Sequence, residues 1–72
     1  MNEDITFFAM RYALGRRTGA VGMVVDYLKE NWNGLSKEMK YQIQREIDVA
    51  IKNDRAGMDC DIENWKEILE LK

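Results

Sequence analysis

The sequence contains no proline and no histidine, and its only cysteine is Cys60. Without histidine there is no imidazole general base, no Ser-His-Asp or Cys-His arrangement and no zinc site built on Cys and His. With one cysteine no disulfide can close within the chain, which fits a reducing compartment better than a secreted scaffold. Cys60 is therefore read as a small apolar packing residue, with an intermolecular disulfide or a reactive thiol as alternatives. No uncharged apolar run approaches the roughly 20 residues that span a bilayer, and the start lacks a signal peptide's basic head and apolar stretch. The expectation is a cytoplasmic chain with no membrane contact. A strong charge of one sign is missing too: 11 basic and 13 acidic side chains leave a net charge of −2. That is too weak a field for a general nucleic-acid binder or a polyanionic DNA mimic. The acidic excess lies towards the C-terminal end, in Asp54, Asp59, Asp61, Glu63, Glu67 and Glu70.

What remains is a chain of 72 residues with room for one domain, spanning 1–72, and one modest core. A core of that size supplies only about 3 to 5 kcal/mol of net stability, so reinforcement from outside the core is expected. Disulfides and Cys/His metal sites are excluded, which leaves oligomerisation as the remaining usual source.

The glycines, at 15, 19, 22, 34 and 57, are the main punctuation. They divide the chain into three or four helices, and no strand pattern competes. The first helix is expected over about Asp4 to Leu14, capped by Asn2 or Asp4. Its apolar residues run most of the way round, from Ile5, Phe7 and Phe8 to Tyr12 and Leu14, so it is either central or shared with a partner. The second is expected from a Thr18 cap to Trp32, with Val21, Val24, Val25, Leu28 and Trp32 on one face. Gly19 and Gly22 in its first turns point to a close approach by backbone or ligand. Asn33-Gly34 is a turn, and Ser36 caps a third helix that runs to about Asn53. Met39, Ile43, Ile47 and Ala50 or Ile51 face inward there. Lys37, Lys40, Gln44, Arg45 and Asp48 face water, and Asp48 and Lys52 are spaced as an ion pair. After a loop around Gly57, Asp61 is expected to cap a short last helix with Ile62, Trp65, Ile68 and Leu69 inward. Cys60 would then be placed to staple onto Trp65.

The most distinctive cluster is Arg11, Gly15, Arg16, Arg17, Thr18, Gly19 and Gly22. Two adjacent arginines leading into a glycine-containing helix start can hold a phosphate, a nucleotide or a partner's carboxylate. The alternative is a helix corner whose arginines are solvated or paired locally. Spacing and the missing lysine rule out a Walker motif. Asp59, Asp61, Glu63, Glu67 and Glu70 touch a calcium-loop pattern, but Asn64 stands where glycine is required, and no metal is assigned. A helix-turn-helix over Val21 to Lys52 would offer Lys37, Lys40, Gln42, Gln44 and Arg45 to DNA. Glu38, Glu46 and Asp48 thin its electrostatic support. The aromatic residues Phe7, Phe8, Tyr12, Tyr27, Trp32, Tyr41 and Trp65 are expected mostly in the core. Any left exposed near the arginines would make a protein-binding hot spot.

The run from Met10 to Thr18 (Met-Arg-Tyr-Ala-Leu-Gly-Arg-Arg-Thr), the Asn31-Trp32 pair, Gln44 to Ile47 and Asp61 to Trp65 resemble a set of small bacteriophage-encoded accessory proteins. The resemblance implies a phage product in the cytoplasm of the bacterial host, of the kind that binds a host protein or a defence complex such as a CRISPR effector. It supplies no functional residues. The sequence thus sets up an all-α bundle of three to four helices, completed if need be by oligomerisation, which binds without catalysis and without a cofactor. Arg11, Tyr12, Arg16, Arg17 and Thr18 are the expected contact region, and Phe7, Met10 and Leu14 the expected self-association surface. Phosphate, nucleotide or weak nucleic-acid binding at the helix start from Arg16 to Gly22 is the alternative.

Overall fold

A computed structural model describes residues 3–15 and 20–72. Four helices and one 3₁₀ turn account for most of them: α1 (Glu3–Ala13), α2 (Ala20–Asn31), the 3₁₀ turn Trp32–Gly34, α3 (Lys37–Lys52) and α4 (Asp59–Leu69). There is no strand among the described residues.

Each helix end has a local chemical cause. Glu3 and Asp4 place negative charge at the positive end of the α1 dipole. The helix closes where Leu14 N–H donates to Met10 O at 2.9 Å and Gly15 turns to φ +84°. A Cβ at Gly15 would lie 2.5 Å from the Arg55 carbonyl oxygen, so only glycine lets the α1–α2 corner sit against the α3–α4 loop. The Ser36 hydroxyl accepts from Met39 N–H at 3.1 Å and caps α3. At the other end of α3, Asp54 takes a left-handed φ of 56°. Arg55 N–H then reaches Ala50 O and Asp54 N–H reaches Ile51 O, the two bonds of a Schellman stop.

In space the helices occupy four corners. α1 and α4 each pack against both α2 and α3, whereas α2 and α3 face each other across a diagonal. The shared interior holds Met10, Val21, Val25, Leu28, Ile43, Ile47, Trp65 and Ile68, all essentially inaccessible to solvent. Polar ties lock the corners. Glu3 accepts from both the backbone N–H and the hydroxyl of Ser36, joining the starts of α1 and α3. Arg11 pairs with Glu46 at 2.7 Å, and Lys29 with Glu67 at 3.3 Å. The Gln44 amide donates at 2.9 Å to the carbonyls of both Ile68 and Leu71, capping the end of α4 from a different helix.

Several expectations are corrected. Gln44 is turned to the end of α4 rather than to water, and Lys40 lies 6.0 Å from the Trp32 ring centroid. The last helix begins at Asp59 with Met58 as its N-cap, so Asp61 is inside the first turn. Cys60 is consequently helical and exposed, five positions before Trp65 and on nearly the opposite side of α4, where it can neither pack nor staple. The calcium-loop positions likewise fall on a helix, which cannot wrap a cation. Gly22 has open space where a Cβ would go, so no close approach explains it; that role belongs to Gly15. Asn2, Thr18 and Gly19, expected as caps or close-approach points, lie outside the described residues. No described helix is long and apolar enough to cross a membrane.

Candidate functional site

The first helix explains the candidate site. Thr6, Met10 and Ala13 are its buried residues, recurring at helical spacing towards the interior. Phe7 and Leu14 lie beside that stripe, partly buried against the core on the α3 side. Ile5, Phe8 and Tyr12 then fall on the far side of the helix and stand 66%, 71% and 58% exposed. α2 repeats the pattern. Val21, Val25 and Leu28 face in, which leaves Met23 74% exposed and Tyr27 43% exposed.

The two outward sets meet. A groove of about 360 Å³ between α1 and α2 is lined by Ile5, Thr6, Ala9, Met23, Val24 and Tyr27. At its edge the Tyr27 hydroxyl comes within 3.5 Å of Thr6 Oγ1. Phe8 and Tyr12, one turn apart further round α1, line an adjoining depression with Phe7 and Arg11. Single exposed apolar side chains are ordinary on a protein surface, but five large ones adjoining a groove form a patch of the kind that marks interaction sites.

The structure places the expected contact residues in three groups. Tyr12 belongs to this patch. Arg11 lines the depression beside Phe8 and Tyr12, and its guanidinium is held towards α3 by Glu46. Arg16, Arg17 and Thr18 lie outside the described residues. The expected self-association set is partly corrected: Met10 is completely buried in the chain's own core and has no surface to offer a second copy, and Phe7 and Leu14 pack against that core. The apolar residues of α1 that face solvent are instead Ile5 and Phe8. The expectation that most aromatics are core also fails, since Phe8, Tyr12, Tyr27 and Tyr41 are exposed.

Two other surface features are less suited to a ligand. Arg11, Leu14, Glu46, Val49, Ala50 and Arg55 line a polar cavity of about 180 Å³, but the Arg11–Glu46 pair crosses it and leaves a carboxylate where an anion would sit. On α3, Lys37, Glu38, Tyr41, Gln42 and Arg45 flank a shallow depression of mixed charge. A helix-turn-helix reader packs its two helices on each other, whereas α2 and α3 occupy opposite corners here.

The outward placement of Met23 and Tyr27 has a signal in the sequence. Once Val21, Val25, Leu28 and Trp32 define the inner face of the second helix, positions 23 and 27 must point away from it. Comparison of the chain with protein-family models, curated proteins and solved structures finds no match.

Proposed function

We propose that the protein is a non-catalytic binding protein that docks on a bacterial host protein through the outer faces of α1 and α2. The observation that carries this reading is the apolar patch of Ile5, Phe8, Tyr12, Met23 and Tyr27, left uncovered by a chain with little core to spare. Aromatic and methionine side chains are the types enriched at the centres of protein interfaces. The bacteriophage resemblance supplies the setting, a host enzyme or defence complex that the protein blocks or modulates. Arg16 and Arg17, next to Tyr12 along the chain, complete the contact region in this reading.

The test compares capture from a bacterial lysate by the wild-type protein and by Phe8→Asp/Met23→Asp, with helical content followed by circular dichroism. A specific protein retained by the wild type and lost by a fully helical variant supports the site. Equal capture by both refutes it. Arg16→Glu/Arg17→Glu should also lose the partner, and retention would remove the two arginines from the site.

A further inference from the structure

The charges around the patch are arranged asymmetrically. The two cations described on α1 and α2 are both drawn away from it: Arg11 to Glu46 on α3, and Lys29 to Glu67 on α4. The acids Asp26 and Glu30 behave differently. They are exposed on α2, one turn apart, beside Met23 and Tyr27, and neither has an ion-pair partner among the described residues. The α2 edge of the apolar patch is thus acidic.

The groove itself is suited to one kind of occupant. Ile5 on α1 and Met23 and Tyr27 on α2 stand around small or recessed residues, Thr6, Ala9 and Val24, with Phe8 and Tyr12 on the adjoining surface of α1. α1 has 11 residues, a length of roughly 16 Å at about 1.5 Å per residue, which matches three turns of a second helix laid along it. Such a helix inserts aliphatic side chains at i, i+3 or i+4, and i+7. Resting on the earlier reading that this face docks a protein, we propose that the occupant is an amphipathic helix whose aliphatic stripe is flanked by lysine or arginine. Those cations meet Asp26 and Glu30 at the rim. A second copy of this chain is the poorer fit, because the cations described on the same face, Arg11 and Lys29, are already paired and offer Asp26 and Glu30 no partner.

Two synthetic helical peptides of about 18 residues test the inference, with the same leucine stripe and either lysine or glutamate on its flanks. Affinity is read by fluorescence anisotropy, and the contact face by amide shift changes in NMR spectra. The lysine peptide should bind at least about tenfold more tightly, perturbing Phe8, Met23 and Tyr27. Asp26→Lys/Glu30→Lys should invert the preference. Glu63→Lys/Glu70→Lys makes the same change in net charge on α4 and should preserve it. Equal affinity for the two peptides, or equal loss in both double variants, overturns the basic-helix assignment while leaving apolar docking intact. If neither peptide binds and Phe8→Asp/Met23→Asp captures the lysate partner as well as wild type, the docking face itself is wrong. A micromolar dimer abolished by Phe8→Asp would identify the occupant as a second copy and overturn the inference.

Discussion

The outer face of α1 and α2 and the outer face of α3 and α4 were built under different demands. On α3, the inner residues Ile43, Ile47 and Ala50 are buried, while the outer ones are mostly charged: Lys37, Glu38, Arg45 and the Asp48–Lys52 pair at 2.9 Å. Tyr41, Val49 and Met58 are exposed on this side too, but Tyr41 stands among Lys37, Glu38 and Gln42 and the three are spread over separate turns. On α1 and α2 five large apolar residues, Ile5, Phe8, Tyr12, Met23 and Tyr27, are exposed among the charges. Both halves contribute to one interior, so the difference is no consequence of folding. A protein of this size gains nothing in stability from Phe8 or Met23 on its surface, which makes their shared location the feature that calls for a partner.

The largest expected effect tests the assumption that inner and outer apolar residues do different work. Trp65 is fully buried at the meeting of the helices, and Trp65→Ala should cost about 3 to 5 kcal/mol. That is comparable to the whole stability of so small a domain, and urea or thermal unfolding should find the variant largely unfolded. Phe8→Ala should change stability by no more than about 0.5 kcal/mol. A Phe8→Ala variant that melted like Trp65→Ala would mean that the two faces are not distinct.

Next come the ties that hold the halves together. Gln44→Glu replaces an amide donor by an acceptor facing two carbonyls, those of Ile68 and Leu71, and should cost about 1 to 3 kcal/mol. Ser36→Ala removes the α3 cap and one of the two bonds to Glu3, and about 1 to 2 kcal/mol is expected. Both losses should appear as lower urea midpoints with intact helical content in buffer. By contrast, the Arg11–Glu46 pair is too exposed to add much, and Arg11→Ala should stay within about 1 kcal/mol of wild type. A partner-binding loss in Arg11→Ala without a stability loss would extend the docking face towards α3.

How far the sequence reveals this arrangement depends on where the deciding force is local. α3 was readable at both ends, because a serine cap and a stripe of Ile43, Ile47 and Ala50 act within one helix. The start of α4 lies three residues before the position that Asp61 suggests. Asp61 resembles a cap, but Met58 fills that position with no side-chain bond, and Asp61 Oδ2 instead lies 3.1 Å from where a Gly57 Cβ would be. Cys60 followed that error onto the wrong side of the helix. The bare side of α1 was illegible for a different reason. Its apolar residues surround the axis, so only the positions of α2 and α3 determine that Met10 is enclosed and Phe8 left out. The Gln44 contact to the end of α4 is also tertiary, and no helical period announces it.

The one expected gain in stability concerns glycine. Gly15 and Gly22 stand on either side of the α1–α2 corner, yet their surroundings are opposite. Gly15 adopts φ +84° with the Arg55 carbonyl 2.5 Å from the site of a Cβ, so Gly15→Ala strains the backbone and pushes the α3–α4 loop away. Gly22 is inside α2 with nothing within 4 Å of an added Cβ. Glycine in a helix costs about 1 kcal/mol relative to alanine, so Gly22→Ala should stabilise the protein by about that amount. The gain is measured as a raised urea midpoint with an unchanged slope. Stabilisation with undiminished partner capture would place the docking contact on the side chains of Met23 and Tyr27. Stabilisation with lost capture would mean that the partner comes close to the Gly22 backbone, extending the docking face to the first turn of α2.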